Sequence, residues 1–246
     1  MPLREEFESS GNWLFRWRSY LPLVMVALFF VSLYAYEFPG GSEYLAHMWE
    51  AVCLAVSFFG LAVRVFTIGH TPKGTSGRNT RQQVAETVNT TGIYSTVRHP
   101  LYVGNFFMIL GLAMYLFLWW LVVIYVLAFW VYYERIMFAE EEFLRKKFGE
   151  QYESWASRTP AFIPRLGSYV KPNLPFSLRN VLRREYNGFF AIMLLMFALE
   201  LAGDWVVTGK LAMQLHWQVL MAISVAIWAG LRLLKKFTRV LNVDGR

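Results

Sequence analysis

Arg98-His99-Pro100-Leu101-Tyr102, preceded by Thr91-Gly92-Ile93-Tyr94, gathers a guanidinium, an imidazole and two phenols into one short stretch. Farther along, Glu140-Glu141 places two carboxylates side by side and leads to Phe148-Gly149. From Leu101 to Tyr133 the chain carries no charge. If that run folds back within a bilayer, the two polar motifs meet at one membrane surface and form a charged pocket bordering lipid. Such a pocket suits a polar cofactor and a greasy substrate.

The elements that must position these groups follow from composition. Of 246 residues, 56% are apolar and 18% aromatic, and the mean hydropathy is +0.35. Soluble domains hold roughly 45 to 50% apolar residues, so the chain is expected to be a multi-pass membrane protein. The net charge is +7, with Lys and Arg beside apolar runs, where they orient segments against anionic headgroups. That placement argues against nucleic acid as a partner. Cys53, the single cysteine, lies in an apolar segment and forms no intrachain disulfide. The start of the chain lacks the pattern of a cleavable signal, so its first apolar run is expected to be retained.

Apolar runs occur at about 20 to 36, 49 to 68, 101 to 133, 188 to 207 and 211 to 234. As one helix, the third would extend about 50 Å, against a hydrocarbon core of roughly 30 Å. As a hairpin it gives six spans with both termini on one side. Of the 24 Lys and Arg, only Lys210 then falls in the opposite loops. The positive-inside rule therefore places the termini and both motifs in the cytoplasm. The expected fold is an all-α polytopic bundle and a single domain over 1–246. It has a core at 57–165, a hairpin at 101–133, an additional helical pair at 187–234 and an amphipathic cytoplasmic helix at about 137–157. Residues 69 to 91, rich in Gly, Thr, Ser and Asn, read as an irregular lid or re-entrant segment.

The string Thr-Thr-Gly-Ile-Tyr-Ser-Thr-Val-Arg-His-Pro-Leu-Tyr-Val-Gly (90–104) is followed, after one hairpin, by Glu140-Glu141, Leu144, Phe148-Gly149 and Tyr152, then by Thr159-Pro160 and Ile163-Pro164. This order resembles the isoprenylcysteine carboxyl methyltransferase and phospholipid methyltransferase superfamily over roughly residues 57 to 165. The resemblance implies S-adenosylmethionine bound on the cytoplasmic side and a lipid or lipid-linked nucleophile reaching the methyl group from the bilayer. For this multi-pass protein, six compact spans, a short cytoplasmic face and no compartment signal make a bacterial inner membrane the expected location, with the endoplasmic reticulum as the alternative. That cofactor carries a carboxylate, an ammonium, a ribose and an adenine, so its pocket needs a cation, carboxylate acceptors and an apolar or stacking floor. On this reading Arg98 or Arg135 pairs with the methionyl carboxylate and Glu140 or Glu141 accepts from the ammonium or ribose. Tyr94, His99 and Tyr102 line the adenosyl or methyl end, and Gly104 lets backbone approach the cofactor. Arg98, His99 and Tyr102 are the residues expected nearest the chemistry. Arg64, in a Gly60-x-x-x-Arg64 pattern, is expected to bind substrate or order the pocket.

Blander readings compete. Glu141 with Arg145 and Glu142 with Lys146 have the spacing of surface pairs, and Arg98 and Arg64 could snorkel to headgroups. His47, His70 and His216 look scattered, without carboxylates at ligand spacing, so no metal site is expected. The rival enzyme class is a reductase of the sterol-reductase type using NAD(P)H, with Lys73, Arg78 and Arg81 as phosphate partners. The paired carboxylates disfavour it, because they would repel a phosphate-rich cofactor. Which lipid is methylated, and the oligomeric state, are left open by the sequence.

Overall fold

The computed structural model describes residues 2–72, 74, 83–211 and 213–246. Among these described residues, eight α-helices follow in chain order: α1 (Leu3–Trp17), α2 (Pro22–Ser32), α3 (Glu43–Gly69), α4 (Pro100–Tyr115), α5 (Trp119–Phe148), α6 (Glu150–Ala156), α7 (Leu178–Thr208) and α8 (Leu215–Phe237). Among the described residues there is no strand; one isolated antiparallel bridge joins Gly92 to Val170. The chain is therefore all-α, as expected.

Four helices, α3, α5, α7 and α8, are long and apolar enough to cross a membrane, and a fifth crossing exists if α1 and the α2 segment are taken as one bent span. The six spans expected from the sequence thus differ from the four or five that length and composition support. Two local causes account for the difference. Pro22 restarts the helix after a break at residues 18 to 21, and the two arms diverge by 69°. The α2 segment is therefore too short to cross alone. In the hairpin the turn comes early, at Leu116–Leu118, which leaves α4 with 16 residues. At 1.5 Å per residue that is about 24 Å.

The hairpin itself is present. It ends differently from expectation, because α5 does not stop near Tyr133. The helix runs unbroken for 30 residues, about 45 Å, so it projects well past a 30 Å hydrocarbon core. The expected separate amphipathic helix at 137–157 is instead the far end of α5 followed by the short α6. Gly149, at φ +53°, makes the break between them. The change from apolar to polar sequence near Tyr133 marks a membrane boundary on one helix rather than the boundary between two.

Small residues set the closest packing. Gly60 on α3 faces the backbone of α4, where a Cβ would collide with the Gly104 carbonyl, and Ser57 Oγ donates to the Met108 carbonyl at 2.9 Å. Such contacts are how helices approach each other without help from the hydrophobic effect in lipid. α1 lies along the projecting end of α5. Phe7 meets Phe138 edge to face, Arg135 covers the Phe7 ring and donates to Ser10 Oγ, and Lys146 pairs with Glu8.

Candidate functional site

Residues 94 to 99 enter α4 through an irregular strap that is fastened from below by the segment after α6. Arg98 and His99 donate backbone N–H bonds to the carbonyls of Pro160 (2.9 Å) and Ala161 (3.2 Å), and Arg165 N–H returns to the Thr96 carbonyl (2.9 Å). The Thr159-Pro160-x-x-Ile163-Pro164 segment acts as this clamp. Pro160 offers a carbonyl without a competing donor of its own. Pro100 then opens α4 at its first position, where a missing N–H costs nothing.

This strap meets the projecting end of α5. Glu141 Oε1 takes hydrogen bonds from His99 Nε2 (2.9 Å) and Arg98 Nε (3.0 Å), and Arg98 Nη1 also donates to the Ala156 carbonyl (2.7 Å). Glu140 Oε1 accepts from the Tyr102 hydroxyl at 2.6 Å, while its Oε2 lies 3.6 Å from His99 Nδ1. His99 and Tyr102 stack with centroids 5.7 Å apart. The fold-back thus brings the two motifs into direct contact. Surface pairing of Glu141 with Arg145 and of Glu142 with Lys146 is not what forms. Glu142 is buried and pairs with Arg4 and Arg145, and Glu141 turns inward.

Glu141 bonded at Nε2 and Glu140 3.6 Å from Nδ1 favour the protonated form of His99. Burial acts to lower its pKa, but the bonds to Glu140 and Glu141 outweigh that and raise it above the ordinary value of 6.5. The sign of the consequence follows. A raised folded-state pKa gives stability that is fully present below about pH 6.5 and lost as pH climbs through the raised value. The thermal midpoint of the wild type should therefore fall relative to His99→Gln as pH increases from acid through neutral to mildly alkaline buffer. A gap between the two proteins that is constant with pH would contradict this arrangement. Tyr94, half-buried on the cavity wall, has its phenol pushed up to about 12 by desolvation and is neutral at physiological pH.

A cavity of about 650 Å³ opens over this cluster. Its polar wall includes Arg18, Asn89, Tyr94, Arg98, His99, Tyr102 and Glu140, and it continues past Asn105 to Met108, Asn187 and Gly188. Met108 lies just over two turns into α4, so the cavity reaches from the charged surface to apolar helix surface. Glu141 and Arg135 are not on its wall. Glu141 supports from behind, and Arg135 points to α1, so the structure does not bring Arg135 to the cavity. Gly104 is also off the wall. A Cβ there would collide with Arg64 Cγ, so this glycine makes room for an arginine rather than for a ligand.

Arg64 does not snorkel. Its Nε and Nη2 donate to the two oxygens of Glu185 at 2.7 and 2.8 Å, and Nη1 donates to Asn105 Oδ1 at 2.6 Å. Asn105 in turn donates to the Tyr133 hydroxyl at 3.1 Å. The forked geometry matches a carboxylate on both arms. Glu185, Asn105 and Tyr133 line the cavity and were not expected from the sequence. An arginine inside a span calls for an acid to neutralise it, and Glu185, one turn before the apolar run of α7, is one of several acids beside apolar runs in the sequence. The loop residues 73 and 75 to 82, where Lys73, Arg78 and Arg81 were considered as phosphate partners, lie outside the described residues.

Comparison with known proteins bears on these residues. Residues 50–151 match the family model for phospholipid methyltransferase. The chain is 34% identical over 155 residues to the nickel-cobalt-cadmium resistance protein NccN of Alcaligenes xylosoxydans xylosoxydans, covering 62% of this chain and 65% of that one. It is 37% identical over 75 residues to the protein-S-isoprenylcysteine O-methyltransferase of Schizosaccharomyces pombe, covering 30% and 32%. To the protein-S-isoprenylcysteine O-methyltransferase of Tribolium castaneum it is 29% identical over 147 residues, covering 57% and 49%. The chain thus spans between about a third and just under two thirds of the length of these relatives. No solved structure matches it. The phospholipid methyltransferase match encloses both motifs and the hairpin between them, and the isoprenylcysteine methyltransferases are similar to part of the chain.

Proposed function

We propose that this protein is an S-adenosylmethionine-dependent methyltransferase that modifies a lipid or lipid-linked substrate at the cytoplasmic face of a membrane, in a bacterial inner membrane. The observation that carries the reading is the meeting of the Arg98-His99 strap with Glu140 and Glu141 at a cavity that extends down to apolar helix surface. The donor set fits the cofactor. Glu140 is a carboxylate aimed by Tyr102 and His99 for an ammonium or ribose hydroxyls, and Arg18 and Arg98 supply positive charge for a carboxylate. Phe15, Phe143, Leu144 and Trp155 give apolar and aromatic wall for an adenine.

S-adenosylmethionine supplies, when bound, a methyl group activated by positive sulfur. The work left to the chain is to bind, to orient and to exclude water, since an in-line displacement requires reacting atoms about 3 to 3.5 Å apart and nearly collinear. The strap and the clamp at Pro160 and Ala161 fix the polar end, and the Arg64–Glu185–Asn105 network fixes the deeper wall. For an anionic nucleophile, a carboxylate or a phosphate oxygen, a water-poor cavity favours neutralisation of charge during transfer. For an amine nucleophile a proton must leave, and Glu140 is the cavity carboxylate in position to take it. The paired carboxylates argue against the reductase alternative, and the relatives lend it no support.

The test is calorimetric titration of the purified protein with S-adenosylmethionine and, separately, with NADPH. Saturable binding of the first and none of the second is expected. The reverse would overturn the assignment. Mass spectrometry of lipids from cells with and without the protein then identifies the acceptor by the mass of one added methylene.

A further inference from the structure

The ends of α3 and α7 remote from the Arg64–Glu185 pair carry a second cluster of ionisable groups. One ligand atom each from His47, Glu50 and Glu200 lies within 4.8 Å of the others. Glu50 precedes Arg64 by fourteen residues of one helix, about 21 Å along its axis, so this cluster is separate from the cavity above. The sequence reading missed it. His47 was judged to lack carboxylates at ligand spacing, yet Glu43 and Glu50 stand one turn away on either side of it.

Both glutamates of the cluster are 5% exposed. Glu200 Oε2 accepts from the Tyr115 hydroxyl at 2.5 Å, and Glu50 Oε2 sits 3.6 Å from His47 Nδ1. Glu50 Oε1 is fully buried without a hydrogen bond of good geometry, and the Trp217 indole N–H, likewise unpartnered, is the donor beside it. Around them, Glu43 lies 3.9 Å from His47 Nε2, the Gln214 amide lies 2.9 Å from the same nitrogen, and Asp204 adds charge from the next turn of α7. Four carboxylates therefore surround one imidazole. Two buried carboxylates with an unpartnered oxygen are costly unless a proton or a cation neutralises them.

We propose that His47, Glu50 and Glu200 bind a divalent transition-metal ion of the zinc, cobalt or nickel class at the membrane face opposite the methyltransferase cavity. An imidazole nitrogen with two carboxylates is a donor set suited to these ions, whereas magnesium and calcium favour oxygen alone. The orphan oxygen of Glu50 gains a partner, and Tyr115 holds the Glu200 carboxylate in place as outer support. Water or Gln214 completes the coordination. The inference does not depend on what the other cavity does.

The test uses the full chain in detergent, stripped with chelator and titrated with cobalt(II) under visible spectroscopy and with zinc(II) by calorimetry. One equivalent is expected to bind with the absorption of a nitrogen-and-oxygen cobalt site. Glu50→Gln and Glu200→Gln should each weaken it by at least about tenfold, the scale seen even for outer-sphere partners, while His99→Gln leaves it unchanged. Should either glutamine variant fail to fold, His47→Gln, at a half-exposed side chain, replaces it with the same expectation. Absence of saturable binding in the wild type, or binding that survives these changes, overturns the proposal and leaves a shared proton as what neutralises the cluster.

Discussion

Replacing Arg64 with alanine is expected to destabilise the protein by about 3 to 5 kcal/mol, the cost of leaving a buried charge without its partner. The magnitude follows from what is stranded. Glu185 is 4% exposed and takes both arms of the guanidinium, and Asn105 loses its donor at the same time. Lysine should rescue little, since an ammonium cannot reproduce the fork that engages both oxygens of Glu185 and Asn105 together. The paired change of Arg64→Met with Glu185→Leu removes both charges and should recover much of the loss. Thermal unfolding in detergent of the three variants measures this order. An alanine variant as stable as the wild type would mean that Arg64 reaches water or headgroups after all.

Removal of the Glu140 carboxylate gives the second large effect, this time on ligand binding. On the proposed reading, Glu140→Ala should weaken S-adenosylmethionine about 10- to 100-fold, the equivalent of one or two charge-assisted hydrogen bonds. Tyr102→Phe keeps the ring stacked on His99 but removes the hydroxyl that aims Glu140. Its effect should be smaller and in the same direction. If Glu140→Ala binds the cofactor as tightly as the wild type, the carboxylate faces a different ligand. Glu141→Ala should act on stability and on the pH profile through Arg98 and His99, because it stands behind the wall.

Several of these features were legible before any coordinates. The uncharged run to Tyr133 had to turn back, since basic residues flank it on both sides, and that alone made neighbours of His99 and Glu141. The sequence was silent where the partner is distant or the signal is ambiguous. Glu185 sits 121 residues from Arg64, and nothing local in an Arg-Arg-Glu-Tyr run announces an interior pair. The wall supplied by α1 was hidden because a charged segment at the start of a membrane protein reads as a flank, not as a helix packed along α5. The split expected near Met137 arose from treating a change of solvent as a change of element. At His47 the spacing was present and was overlooked, because the two glutamates belong to different sides of an apparent span boundary.

The pairing of α3 with α7 now has a mechanical meaning. Arg64 with Glu185 rivets the two helices near one end, and a cation or shared proton between Glu50 and Glu200 would supply a second rivet about 21 Å away. A slip of one residue would turn a helix by roughly 100° and pull both rivets at once. The seam between α3 and α7 therefore resists a screw motion of one helix past the other, and the Arg64–Glu185 side of the cavity keeps its shape.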